Sequence, residues 1–239
     1  MNLPKHDFNK LYQLQDKVLA AVAEMKLPFY LTGGTALGRF YLNHRYSEDL
    51  DFFVNAHPAY GDLSKGMYRK LNDKFNIDKD AVLEEDFSRF YVRDGEETLK
   101  IECINDVPYR LGEPKQTSWG LLDSVENILA NKLSALIGRD EPKDLFDIIQ
   151  IARNYSFNWK DIFLEARKKV HLNELEFEER ILSFPISFFE KVNWTNKPMD
   201  LNEYEAAKIQ IADDFLLGYD NSLGIGKVPI GQAVPKIHD

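Results

Sequence analysis

The sequence predicts an α+β fold: a small mixed sheet flanked by helices, followed by an all-helical C-terminal region. Three observations carry this expectation. Short apolar and aromatic segments, interrupted by Gly33-Gly34 and Asp94-Gly95, crowd residues 29–104 as strands bounded by turns do. Around residues 108–118 the chain becomes turn-rich, with Gly112-Glu113-Pro114, and the two-residue alternation stops. From Ser124 onward apolar residues return at the three- and four-residue spacing of helices. At 239 residues the chain is long enough to bury a core in one large domain or two small ones. We expect an α/β domain over residues 1–117, a helical domain over 118–218 and an irregular tail over 219–239.

In chain order, residues 8–25 set Leu11, Leu14, Val18, Val22 and Met25 on one helical face, and Pro28 marks the helix end. Residues 29–31 are a short apolar strand that breaks at Gly33-Gly34 and runs into a helix carrying Ala36, Leu37, Phe40 and Tyr41. Residues 50–54 are a second strand by their apolar and aromatic content. A loop with His57 and Pro58 follows over 56–62, then a helix over 63–75 that covers the sheet. Residues 87–92 and 98–104 form a hairpin that turns through Asp94-Gly95. Its second strand sends Leu99, Ile101 and Cys103 one way and Lys100, Glu102 and Ile104 the other. Helices are expected over 124–137, 143–154, 159–169, 174–182, 185–192 and 201–217, with Phe184, Phe188, Phe189 and Trp194 as packing residues. Residues 224–239 hold glycines and prolines without any period, which suits a tail.

Chemistry concentrates between residues 31 and 54. Paired glycines let the backbone approach a ligand closely. The first amides of a helix lack internal partners and carry partial positive charge, so Gly33, Gly34 and the Thr35 hydroxyl suit a phosphate. On the strand over 50–54, alternation sends Leu50, Phe52 and Val54 into a core and sets Asp49 and Asp51 together on the other face. Two carboxylates about 4–6 Å apart repel by roughly 1–4 kcal/mol. A hard divalent cation offsets that repulsion, and magnesium prefers such oxygen ligands.

A Gly-Gly turn that opens a helix, followed by Asp-x-Asp on the next strand, resembles the polymerase-β-type nucleotidyltransferase superfamily. Gly33-Gly34-Thr35-Ala36-Leu37, together with His44, Arg45, Ser47, Asp49, Leu50, Asp51, Phe52 and Phe53, resembles one branch of it, the AbiEii/AbiGii toxin family of bacterial nucleotidyltransferases. A second signature of that family is similar to Lys132, Leu136 and Arg139 followed by Lys143, Asp144 and Asp147. The resemblance covers about residues 10–215. It implies a nucleotidyltransferase fold for the α/β domain, a helical domain that closes the cleft, and Mg²⁺-dependent transfer of a nucleoside monophosphate from an NTP to a hydroxyl. Asp49 and Asp51 would hold two Mg²⁺ ions, and Glu102 would be the third carboxylate, as metal ligand or as base, with Asp106 its rival. Gly33, Gly34, Thr35, Arg45 and Ser47 would contact the NTP. Lys132 would meet its phosphates, Arg139 and Lys143 would add positive field, and Asp144 would orient the basic side chains. Seven-residue spacing sets Lys132 and Arg139 on one helix face. The plainer alternative is that Asp144 and Asp147 bridge neighbouring lysines or arginines. The family further implies a toxin with a cognate antitoxin protein as partner, and tRNA as the leading acceptor.

A formal net charge of −9 argues against broad nucleic-acid binding by phosphate neutralisation. It favours a rival acceptor, a small molecule such as an aminoglycoside; a third alternative is a catalytically silent nucleotide-binding module. Lys132, Arg139 and Lys143 still gather locally, whereas Arg167-Lys168-Lys169 reads as a solvated helix face. One cysteine, Cys103, excludes an internal disulfide and a cysteine-rich zinc site. No apolar run approaches the roughly 18 residues of a membrane span. Residues 1–7 lack a secretory apolar region, so a cytoplasmic protein without membrane contact is expected.

Overall fold

A computed structural model describes residues 7–195 and 197–236; the stretch 1–6 that was read for a secretory signal, and the last three residues of the tail, lie outside the described residues. The chain forms two compact units. The first takes residues 7–36, Tyr46–Pro108 and Pro114–Asp123; the second takes Leu37–Arg45, Tyr109–Glu113 and the described residues from Ser124 on.

In the first unit, α1 (Phe8–Glu24) is capped by the Asp7 carboxylate and buries Leu11, Leu14, Val18 and Val22, as their spacing requires. The sheet holds β1 (Tyr30–Thr32), β2 (Leu50–Asn55), β3 (Asn76–Ile77), β4 (Val82–Leu83), β5 (Phe87–Asp94), β6 (Glu97–Asp106), β7 (Lys115–Thr117) and β8 (Gly120–Leu122). Their order is β3-β5-β6-β2-β1-β8-β7, with β4 on β5. The sheet is mixed, because β2 lies antiparallel to β1 and parallel to β6. Alternation buries Leu50, Phe52 and Val54 on β2, and Leu99, Ile101 and Cys103 on β6.

Gly33 opens a helical segment, α2 (Gly33–Thr35), that continues as a π-helix over Ala36–Leu42, where a helix was expected. A Cβ at Gly38 would lie 2.9 Å from the Arg45 carbonyl oxygen, so glycine is what lets the following loop fold back this closely. The next helix, α3 (Tyr60–Asn72), starts inside the expected loop and stops short of residue 75. Where the sequence loses its strand pattern, β7 and β8 form a further hairpin, and β8 pairs parallel to β1. Strands of three residues are too short to display an alternation. They carry the first unit to Asp123, beyond the boundary expected at residue 117.

In the second unit, α4 (Val125–Gly138), α5 (Pro142–Asn154), α6 (Trp159–Ala166), α7 (Glu174–Ser183) and α8 (Leu201–Leu217) start at capping residues Ser124, Glu141, Asn158, Asn173 and Asp200. A 3-10 turn over Ile186–Lys191 replaces the helix expected at 185–192. Phe184, Phe189 and Trp194 are buried as predicted, but Phe188 is 43% exposed. Residues 219–236 are ordered and not an irregular tail. Residues Tyr155–Ser156, as β9, pair with Val228–Pro229, as β10. Buried Asn221 donates to the carbonyls of Ala152 (2.6 Å) and Tyr155 (2.8 Å), while Ile230 and Ala233 are buried. Among the described residues, no helix is long and apolar enough to cross a membrane.

Candidate functional site

The residues singled out in the sequence fall into two constellations, one in each unit. In the first unit, sheet register builds a row across neighbouring strands. Thr32 on β1 pairs with Asp51 on β2, Asp51 with Glu102 on β6, and Glu102 with Arg89 on β5. The buried face of β2 and β6 faces the core, so Asp51 and Glu102 project together from the other face. The rival carboxylate, Asp106, pairs with Asn55, four residues further along β6. Four residues of strand are about 13 Å, too far to share an ion with Asp51.

Asp49 precedes β2 instead of lying in it, and Lys100 links it to the row. The Lys100 ammonium is 3.0 Å from Asp49 Oδ2 and 3.3 Å from Glu102 Oε2. Burial works against charge on Lys100, yet Asp49, Glu102 and Asp51 outweigh it and hold its pKa above the ordinary lysine value. Glu102 also accepts from Arg89 Nε at 2.6 Å.

The glycine elbow approaches the same carboxylates. Gly33 has φ +68°, and a Cβ there would lie 2.6 Å from Asp51 Oδ2, so this backbone passes where another residue would collide. The Thr35 hydroxyl was expected to donate to a phosphate, but it is fully buried and donates to the Asp49 carbonyl. It therefore ties the elbow to the segment that carries Asp49. Ser47 was expected on the nucleotide, yet it is buried. Its amide donates to Tyr12 Oη (3.1 Å) and its carbonyl accepts from Gln15 Nε2 (3.0 Å).

The carboxylates of Asp49, Asp51 and Glu102 are the donor type that a hard divalent cation takes, and a cationic nitrogen already sits among them. Among the described residues, no three acidic, histidine or cysteine side chains are gathered closely enough to cage a metal as they stand.

In the second unit, both sequence signatures meet in a buried ion-pair cluster. Asp147 is fully buried and accepts from Arg45 through Nε (2.6 Å) and a terminal nitrogen (2.7 Å). It also meets His44 Nε2 at 2.7 Å and Lys132 Nζ at 2.9 Å. Lys132 further donates to Asp144 at 2.7 Å, and Arg139 grips Asp144 at 2.6 and 3.0 Å. Burial alone would raise the Asp147 pKa, but Arg45, Lys132 and the hydrogen bonds drive it well below the ordinary carboxylate value. Burial depresses the His44 pKa despite its contact with Asp147. Lys132 is held above the lysine norm, because Asp147 and Asp144 overcome its burial.

Arg45, Lys132 and Asp144, expected at the nucleotide, thus direct their charged groups inward at one another. A free guanidinium or ammonium would be too costly to bury, so these groups fold in pairs. Arg139 keeps 59% of its side chain exposed, and Lys143 is half-buried. Sequence reasoning missed Lys100 and Arg89 as site residues, and placed His44 in a signature without giving it a role. Lys100 shares the face of Glu102 two residues away, and counting back from the Asp94-Gly95 turn puts Arg89 opposite Glu102, so both were discoverable.

A family model described as nucleotidyl transferase AbiEii toxin, type IV TA system, matches residues 17–216. No curated protein matches the chain. Among solved structures, JHP933 from Helicobacter pylori is 22% identical with a TM-score of 0.64, over 88% of this chain and 92% of that one. A second H. pylori structure, provisionally named a nucleotidyltransferase, is also 22% identical with a TM-score of 0.64, over 88% of this chain and 95% of its own. At that identity the likeness speaks for the fold.

Proposed function

Taking as premise that this chain belongs to the nucleotidyl transferase AbiEii toxin family of type IV toxin–antitoxin systems, we propose that it moves a nucleoside monophosphate from an NTP to a hydroxyl acceptor, the acceptor oxygen displacing pyrophosphate from the α-phosphorus. One observation supports this above the others: Asp51 and Glu102 stand in register on adjacent strands with the Gly33 backbone against Asp51. In this proposal Asp49, Asp51 and Glu102 hold Mg²⁺. Bound divalent ions would neutralise the triphosphate and polarise the attacking hydroxyl.

The remaining work belongs to the chain itself. Gly33 and Gly34 offer backbone amides to the phosphates, while the Thr35 hydroxyl fixes the Asp49 segment. Glu102 accepts the proton of the attacking hydroxyl. Gln15 and Tyr12 hold Ser47, and so the approach to Asp49. Arg139 and Lys143 are proposed as cations for the anionic substrate, with Asp144 orienting Arg139. Arg45 and Lys132 support that arrangement from within the buried cluster. Catalysis of this kind is positioning and charge neutralisation.

The proposed acceptor is tRNA, and the proposed protein partner is a cognate antitoxin. The test is incubation with each α-labelled NTP, Mg²⁺ and total RNA or cell lysate; label is expected in RNA. Asp51→Ala should abolish labelling, and Glu102→Gln should lower it by about 10²–10⁴-fold, the range for lost acid–base assistance. Undiminished labelling by folded Asp51→Ala protein would refute the assignment. Label in a small molecule instead would move the acceptor to the aminoglycoside class.

A further inference from the structure

We infer that Lys100 is a tethered cation that occupies the place of a divalent ion among Asp49, Asp51 and Glu102, is displaced when the ion enters, and thereby sets the metal affinity of the site. This rests on the nucleotidyl-transfer reading of those carboxylates.

Three observations carry it. The Lys100 ammonium lies 3.0 Å from Asp49 and 3.3 Å from Glu102, and Asp51 stands beside Glu102 in register. An ammonium donates hydrogen bonds and has no lone pair, so it can only compete with a metal for these oxygens. Lys100 also lies on the open face of β6, between Leu99 and Ile101, which are fully buried. Its backbone is fixed by that core while its 28% exposed side chain has a flexible four-carbon stem on which to swing away.

The charges agree. Among the described residues, Lys100 pairs with Asp49 and Glu102, and Arg89 pairs with Glu102. Without Lys100 the carboxylates would repel one another; with both Lys100 and a divalent ion at one place, the cations would repel. The consequence is succession. Lys100 holds the carboxylates together in the free enzyme and gives way to the ion, and the released ammonium then has an incoming triphosphate to pair with. A metal ion carried on a nucleotide is therefore favoured over the free ion.

The test is Mn²⁺ titration of the full chain, followed by the electron paramagnetic resonance signal of the free ion, for wild type, Lys100→Met and Lys100→Gln, with Asp51→Asn marking the site. Affinity at the Asp51-dependent site should rise about fivefold or more in both lysine variants, since removing one competing charge at this range is worth about 1 kcal/mol or more. Unchanged or weaker affinity would overturn the inference. A second measurement uses wild type alone: acetylation of Lys100, mapped by peptide mass spectrometry, should speed up when Mn²⁺ is added. Unchanged or slower acetylation would count equally against it. Nucleotide transfer by wild type is assayed in parallel. Transfer with no gain in Mn²⁺ affinity rejects the role of Lys100 and leaves the transferase reading standing; no transfer from any NTP rejects that reading instead.

Discussion

Replacing Asp147 with alanine should destabilise the second unit more than almost any other single truncation there. The Asp147 carboxylate is fully buried and faces Arg45 over two hydrogen bonds, Lys132 and His44. Among the described residues, the cluster sets Asp144 and Asp147 against Arg45, Lys132 and Arg139, with His44 neutral. The substitution leaves Asp144 as the carboxylate among these groups. Lys132 keeps Asp144, but the Arg45 side chain, 2% exposed, loses its bidentate partner. Breaking a buried pair in this way costs about 3–5 kcal/mol, mostly as the penalty of the orphaned charge. With a urea slope of about 2 kcal/mol per molar, the unfolding midpoint should fall by about 1.5–2.5 M. Circular dichroism during urea titration measures it. Replacing both members, Arg45→Met with Asp147→Leu, should recover most of the loss because no charge is left unpaired. A loss below about 1 kcal/mol for Asp147→Ala, or a double variant no more stable than the single, would refute the account.

Further outcomes follow from the same geometry. Gly33→Ala should cut nucleotide transfer by about 10²-fold or more, because it needs φ +68° and drives a Cβ against Asp51, a displacement at the reacting centre; the activity assay above reads it. Stability should decline on acidification. His44 has a depressed pKa in the folded state, so the unfolded chain binds its proton first, and stability present above about pH 6.5 is lost as pH falls. Asp147, also depressed, adds its own loss further down, as pH falls below the ordinary carboxylate value toward its folded pKa. His44→Gln should flatten the first of these steps in urea midpoints measured across pH and leave the second. Cys103 is fully buried, and burial pushes its thiol up, so iodoacetamide at pH 8 should label it only on unfolding, as intact mass would report.

Much of the candidate site is legible in the sequence because strand alternation is strict. Once Leu50, Phe52 and Val54 are assigned to a core, Asp51 must project from the other face, and Leu99, Ile101 and Cys103 do the same for Lys100 and Glu102. The choice between Glu102 and Asp106 was not legible, since either could follow the strand. Parallel pairing of β2 with β6 sets Glu102, and not Asp106, opposite Asp51, and that register spans some fifty residues of chain. The cluster around Asp147 was hidden for a related reason. His44 and Arg45 stand about a hundred residues from Asp147, and no local pattern states that they meet.

By itself the sequence determined the elements, the faces and the chemistry: apolar periods fix which side of each helix or strand is buried, and two aspartates beside a glycine elbow fix what the exposed side offers. Tertiary structure alone decided which charges face one another. It gave Lys132 to Asp144 and Asp147, Arg45 to Asp147, and Lys100 to Asp49 and Glu102. The physical reason is range. Backbone periodicity acts over a few residues, whereas a buried or half-buried charge must find its counter-charge wherever folding brings one within hydrogen-bond distance.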